Sequence, residues 1–219
     1  MTTHASDLIE LAVQNGALKF GSFTLKSGRI SPYFFNAGAL STGLAISRLG
    51  DLYADALIAS GLEFDFLFGP AYKGIPLVAA VAISLAIKFG KDLPYAYNRK
   101  ETKDHGEGGL LVGGDLLVQG GRKVVIIDDV ITAGTAIREA VNIVTQQTNK
   151  VVGVVVALDR QERGEDISRS AVQQVEADLS LKVISVANLD TLLEWVEGGK
   201  AEELKEKIRE YRLQYRVSN

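Results

Sequence analysis

A chain of 219 residues, 47% of them hydrophobic, can bury a full core and fits one large domain. Its net charge of −3 and sequence pI near 5.5 give no global basic field for nucleic acid or an anionic membrane, so any anion site must be built locally. The absence of cysteine removes disulfides and thiolate metal sites. The opening Met1-Thr-Thr-His-Ala-Ser-Asp7 resembles neither a secretory signal nor an Arg-rich transit peptide. The longest apolar run, Leu77 to Ile87, falls short of the ~20 residues of a membrane span. A cytoplasmic protein without nucleic-acid or membrane partners is expected.

In chain order, Asp7 to Val13 has helical apolar spacing, and Phe20 to Phe35 alternates with turn residues, which predicts a helix and a small antiparallel lobe over about residues 1–40. Ser41 to Ser60 reads as helix, Phe64 to Phe68 as strand, and Gly74 to Phe89 as helix after the Gly69-Pro70 turn. Strands at Leu93 to Tyr97, Lys123 to Asp128, Lys150 to Leu158 and Lys182 to Val186 bring the main sheet to about five, mostly parallel because helices alternate with them. Asp190 to Val196 and Ala201 to Arg212 read as helices separated at Gly198-Gly199. Residues 98–121 combine charge and seven glycines without a period, which predicts a mobile loop of the kind that serves as a lid.

The most informative stretch is Lys123-Val-Val-Ile-Ile-Asp-Asp-Val-Ile-Thr-Ala-Gly-Thr-Ala136. Four β-branched residues suit a strand buried on both faces. Asp128 and Asp129 then sit at its carboxyl end, where ligands bind in open α/β sheets, and two adjacent carboxylates suit a vicinal diol. Thr132 to Thr135 offer hydroxyls and uncrowded N–H groups before a helix from Ala136 to Thr145, whose N-terminus suits a phosphate. Two plainer readings stand beside this one: paired aspartates often ligate magnesium, and such a turn is often only a helix cap. No Gly-Lys-Ser/Thr and no Gly-x-Gly-x-x-Gly is present in the segment, which argues against triphosphate hydrolysis and hydride transfer.

This segment resembles the phosphoribosyl-diphosphate motif of the type I phosphoribosyltransferases. Phe23 to Asn36, Phe68 to Pro76 and Ala157 to Glu162 resemble the orotate branch of that family. The resemblance implies an α/β fold with an about five-stranded, mostly parallel sheet flanked by helices and a small N-terminal α+β hood. It implies transfer of a phosphoribosyl group from 5-phosphoribosyl 1-diphosphate to orotate, with Mg2+ held mainly through substrate oxygens and water. It places Asp128 and Asp129 on the ribose hydroxyls. The backbone of Val130, Ile131, Thr132, Ala133, Gly134, Thr135 and Ala136 faces the 5′-phosphate, and Lys26, Tyr72, Lys73, Arg99, Lys100, Lys103 and His105 contact the rest of the diphosphate substrate. Lys103, Arg99 and His105 are the catalytic cations, with Glu107 ranked below them. Phe34, Phe35, Thr132 and Arg160 form the orotate pocket, in which aromatic walls and a cation suit a flat ring bearing a carboxylate.

Taken alone, Phe34 and Phe35 also read as core, for Phe35 on equal terms with a ligand role, Arg160 as the surface partner of Asp159 or Glu162, Lys26 and Lys73 as exposed turn lysines, and Tyr72 as a helix-start aromatic. The resemblance also implies a homodimer with shared active sites. Gly108 to Arg122 is a few residues longer than in compact members, which bears on loop closure. The nearest rivals are a salvage transferase for a neutral base, which has no use for Arg160, and a regulator that binds nucleic acid, which the acidic balance opposes.

Overall fold

The computed structural model describes residues 3–25, 27–103, 109–164, 168–199 and 202–217. An opening helix, α1 (Thr3–Gln14), is followed by the antiparallel pair β1 (Leu18–Thr24) and β2 (Ile30–Phe35), which forms a sheet of its own. A short 3-10 turn at Ala37–Ala39 leads to α2 (Gly43–Ala59), where the Thr42 hydroxyl caps the helix by accepting from the Ala45 N–H at 3.2 Å. Then come β3 (Phe66–Gly69), α3 (Gly74–Phe89), β4 (Tyr95–Lys103), β5 (Gly109–Val112) and α4 (Asp115–Val118). The second half runs β6 (Lys123–Ile127), α5 (Thr135–Gln146), β7 (Lys150–Asp159), α6 (Ala171–Leu179), β8 (Lys182–Asn188), α7 (Leu189–Glu197) and α8 (Glu202–Tyr215).

The main sheet has six strands in the order β5-β4-β3-β6-β7-β8, all parallel except β5 against β4. Strand alternation divides the interior into two cores. Leu67, Val125, Ile127, Val155 and Ala157 face a core shared with α1, α2, α3, α7 and α8, while Phe66, Phe68, Val124, Ile126, Val154 and Val156 face one shared with α5 and α6. Val124 to Ile127 are fully buried. Each such side chain stabilises the fold by roughly 1.5–3 kcal/mol. Among the described residues no helix is long and apolar enough to cross a membrane.

Four points of the sequence reading are corrected. The main sheet has six strands rather than about five, because β5 adds an antiparallel edge. Residues 98–121 are not one irregular loop: β4 runs on to Lys103 and pairs with Gly109–Val112, and α4 follows. Pairing across the sheet edge overrides the glycine-rich composition there. A helix absent from the sequence reading, α6, is set by a capping box in which the Ser170 hydroxyl accepts from the Gln173 N–H and the Gln173 side chain accepts from the Ser170 N–H. The strand expected from Leu93 starts instead at Tyr95, after Pro94, which has no N–H for a ladder.

Candidate active site

Adjacent β3 and β6 run parallel, with Phe68 opposite Ile126, yet the chain leaves them toward opposite halves of the sheet. Their carboxyl ends therefore form the switch point at which open α/β sheets bind ligands. Asp128 and Asp129 continue β6 there. The Asp128 N–H donates to the Val155 carbonyl at 3.0 Å, and the Asp129 carbonyl accepts from the Ala157 N–H at 2.9 Å, so both carboxylates ride on backbone pinned to β7. The Tyr53 hydroxyl, fully buried on α2, donates to the Asp128 carbonyl at 2.8 Å.

The two aspartates are buried and differ electrically. Asp128 Oδ1 accepts from the Asp129 N–H at 2.9 Å. Burial nevertheless pushes the Asp128 carboxyl up to about 7, with the neighbouring Asp129 charge adding to the effect and the Asp129 N–H and Lys73 opposing it. Asp129 Oδ2 instead holds Lys73 Nζ at 2.6 Å, and that lysine is half exposed. Lys73 comes from the turn after β3. Gly69 and Gly74 close this turn so tightly that a Cβ on Gly74 would lie 2.7 Å from the Pro70 ring and 2.9 Å from the Ile127 carbonyl oxygen. The Asn98 side chain on β4 holds the same turn by accepting from the Ala71 N–H at 3.0 Å, and the Ala71-Tyr72 peptide is cis. Tyr72 is exposed.

Beyond the aspartates, Val130 packs against the first core and Ile131 is buried in the second. Thr132, Ala133, Thr135 and Ala136 are open to solvent. Gly134 opens α5 at φ +75°, without a side-chain cap, and a Cβ there would come 2.6 Å from Val175 of α6. Arg138 braces the turn by donating to the Ala133 carbonyl at 2.8 Å while pairing with Asp178 of α6 at 2.7 Å. The uncapped N–H groups of this first turn are free to meet an anion.

Beyond the end of β7, Arg160 and Glu162 reach β2 through their side chains. Phe34 is exposed and packs on Phe23 with ring centroids 5.6 Å apart, whereas Phe35 packs against the first core, which favours the core reading for that residue. Arg160 pairs with Glu162, one of its two expected plainer partners, rather than with Asp159, and it does so largely buried rather than on the surface. Its side chain is 16% exposed, and Nε donates to Glu162 Oε1 at 2.7 Å. Its Nη2 also reaches the Ser31 hydroxyl at 3.2 Å and the Tyr211 hydroxyl at 3.4 Å. Arg99 and Lys100 stand on β4, partly buried and exposed respectively, and Lys103 ends that strand with its side chain outside the described part. Lys26, His105 and Glu107 lie outside the described residues.

The sequence reading missed Tyr53, Asn98 and Arg138 as supports, and Ser31, Tyr33 and Tyr211 around Arg160. Tyr53 had a usable signal, a polar tip on the buried Leu49, Leu52, Tyr53, Ala56, Leu57 stripe of α2. Arg138 braces the turn five residues before it but meets Asp178 forty residues on, and the rest act across long sequence separations that left no signal.

A family model described as phosphoribosyl transferase domain matches residues 38–187. The chain is 56% identical to the orotate phosphoribosyltransferase of Thioalkalivibrio sulfidiphilus, over 99% of this chain and 100% of that one. It is 53% identical to the enzyme of the same name from Pseudomonas paraeruginosa, again over 99% of this chain and 100% of the other. The crystal structure of orotate phosphoribosyltransferase from Francisella tularensis is similar with a TM-score of 0.85 at 46% identity, covering 95% of this chain and 98% of that one. Identity at this level from end to end, on a fold that carries its carboxylates at the β3–β6 switch point, means that the chain belongs to the orotate phosphoribosyltransferase family.

Proposed function

We propose that this chain transfers the phosphoribosyl group of 5-phosphoribosyl 1-diphosphate to orotate, giving orotidine 5′-phosphate and diphosphate for pyrimidine biosynthesis, and that it does so at the β3–β6 switch point. The observation that carries the placement is the buried Asp128–Asp129 pair, held by main-chain bonds beside a half-exposed Lys73 and followed directly by the uncapped turn before α5. The carboxylates accept from the two ribose hydroxyls. The backbone from Val130 to Ala136 surrounds the 5′-phosphate at the helix N-terminus. Lys73, whose present partner is Asp129, exchanges that carboxylate for diphosphate oxygens once the sugar occupies the aspartates.

The bond from the anomeric carbon to the diphosphate oxygen breaks with its electron pair leaving on oxygen, and the orotate ring nitrogen forms the new bond to that carbon and gives up its proton, which passes to the released diphosphate or to water. Arg99, Lys100, Lys103 and His105, with Lys26 and Tyr72, meet the departing charge. Phe34 covers the orotate ring, Thr132 offers a hydroxyl, and Arg160 meets the carboxylate, which a uracil or purine lacks. Phe35 supports this wall from the core. The donor set suits magnesium carried in on the substrate, since Asp128 and Asp129 offer hard oxygens beside the sugar. Bound in this way, the ion would neutralise diphosphate charge.

A homodimer with shared sites is the assembly we assign. Ile83 and Ile87 lie one turn apart on α3 at 59% and 80% exposure, with Phe89 and Tyr95 also exposed, an apolar surface of the kind that a second copy covers.

The test is loss of orotate absorbance with 5-phosphoribosyl 1-diphosphate and magnesium, beside uracil, hypoxanthine and adenine. Turnover of orotate alone is expected, and turnover of a neutral base alone would overturn the assignment. Lys103→Ala is expected to lower kcat ~100-fold with KM values within a few fold. Mixing it with Asp128→Asn should restore activity through hybrid dimers, and no recovery would count against shared sites.

A further inference from the structure

Around Arg160 the fold gathers groups from both ends of the chain. Glu162, with its side chain 10% exposed, sits between two arginines: Oε1 lies 2.6 Å from Arg160 Nη2, and Oε2 lies 3.5 Å from Arg29 Nη1 on the approach to β2. The Tyr33 hydroxyl donates to the same Oε1 at 3.4 Å, and the Tyr33 ring lies under the Arg160 guanidinium, 4.6 Å from centroid to carbon. The Ser31 hydroxyl spends its proton on the Tyr33 carbonyl at 2.7 Å, so its oxygen faces Arg160 Nη2 as an acceptor. From α8, Tyr211 takes Nη2 as well, and Tyr215 packs its ring under Arg29 at 5.1 Å. The backbone of this corner is fixed too, since Glu162 bridges Arg216 and the Arg163 N–H donates to the Tyr215 carbonyl at 2.9 Å.

Among the described residues every bond that Arg160 makes uses Nε or Nη2. A guanidinium has a side-on edge, Nε with Nη2, and an end that carries Nη1. Glu162 occupies the edge. An arginine without such a brace would hold rotamer entropy that must be lost on binding.

We propose that Glu162 is a positioning residue of the base site: braced by Arg29 and Tyr33, it takes the Nε–Nη2 edge of Arg160 and so presents Nη1 to the carboxylate of the substrate. This rests on the reading of Arg160 as the cation that orotate meets. It also makes the last turn of α8 part of the base site, through Tyr211 and the backbone at Tyr215.

Steady-state kinetics on the full-length protein with Glu162→Ala, Glu162→Gln and Arg160→Ala, with melting temperatures recorded for each, test the idea. Glu162→Gln keeps an oxygen that accepts from Nε and Nη2 but lacks the charge. Positioning predicts that Glu162→Ala raises KM for orotate about tenfold while KM for 5-phosphoribosyl 1-diphosphate stays within twofold, and that Glu162→Gln restores most of the loss. A parallel rise in both KM values in Glu162→Ala would mean a merely structural residue and overturn the proposal. A fall in KM for orotate in both variants would overturn it too, because Glu162 would then be a competitor for Arg160. If Arg160→Ala leaves KM for orotate unchanged, the carboxylate reading itself fails, whereas a large effect of Arg160→Ala with none from Glu162→Ala removes only the positioning role.

Discussion

The phosphate side and the base side of the cleft are built by different means. The phosphate side is main chain: two strand ends, two glycine-closed turns and a helix N-terminus, with Asp128 and Asp129 carried on backbone hydrogen bonds to β7. Among the described residues the one ion pair at the carboxylates, Lys73 with Asp129, has a half-exposed lysine. The base side is side chain: one carboxylate between two arginines, floored by Tyr33 and flanked by Tyr211 and Tyr215. On that side Asp128, Asp129 and Lys73 ride on a frame that only a backbone change can alter. The base is met by groups that single substitutions can retune.

That contrast can be broken most forcefully at Gly74. A Cβ there meets the Pro70 ring, the Gly69 carbonyl carbon and the Ile127 carbonyl oxygen, none of which is the far end of a flexible side chain. Gly74→Ala is expected to cost about 4 kcal/mol in urea unfolding and to abolish turnover, and a loss below ~1 kcal/mol would show the turn to be pliant.

The next effect has a sign set by pH. Burial lifts the Asp128 carboxyl from the usual 3.8 to about 7. Below both values the acid is neutral in the folded and unfolded chain alike. Between them the folded state keeps a proton that the unfolded chain releases, so stability falls as pH rises through this window, and the full penalty stands above 7. Asp128→Asn removes it. Its unfolding free energy should exceed that of the wild type by an amount that grows from pH 4 to pH 8, reaching about 2–4 kcal/mol, even though activity is lost. A gain that does not vary with pH would contradict the cause given for the shift.

The smallest effect sharpens the side-chain half of the comparison. Arg29→Ala removes one of the two arginines on Glu162 and the cation over Tyr215. A loss of about 1 kcal/mol is expected, because Arg160 still pairs with the carboxylate, together with a roughly twofold rise in KM for orotate alone. A change confined to KM for the diphosphate substrate would place Arg29 on the wrong side of the cleft.

The same division decides what could be read from sequence. Gly74–Phe89 and the β6 strand were legible because their patterns are local: a helical apolar period ended by Gly90, and a β-branched run ended by two carboxylates. The aspartates and the turn after them lie within one stretch, so the phosphate side could be laid out in order. Strand β5 was hidden because its pairing with β4 is tertiary, and α6 because it buries only Val172 and Val175 behind a Ser-x-x-Gln cap. The Arg160 corner draws on residues 29, 31, 33, 162, 211 and 215, and no spacing rule joins them.

The alternation of β6 has a consequence for how such an enzyme diverges. Val125 and Ile127 face the interior that also holds Tyr33 and Tyr211, whereas Val124 and Ile126 face the one that holds Ile131, Ile137 and Val175. The sheet thus acts as an unequal partition: substitutions in the first interior, which also holds Tyr53 and Val130, reach both the Arg160 corner and the aspartates, whereas substitutions in the second reach only the turn and helix that follow the aspartates.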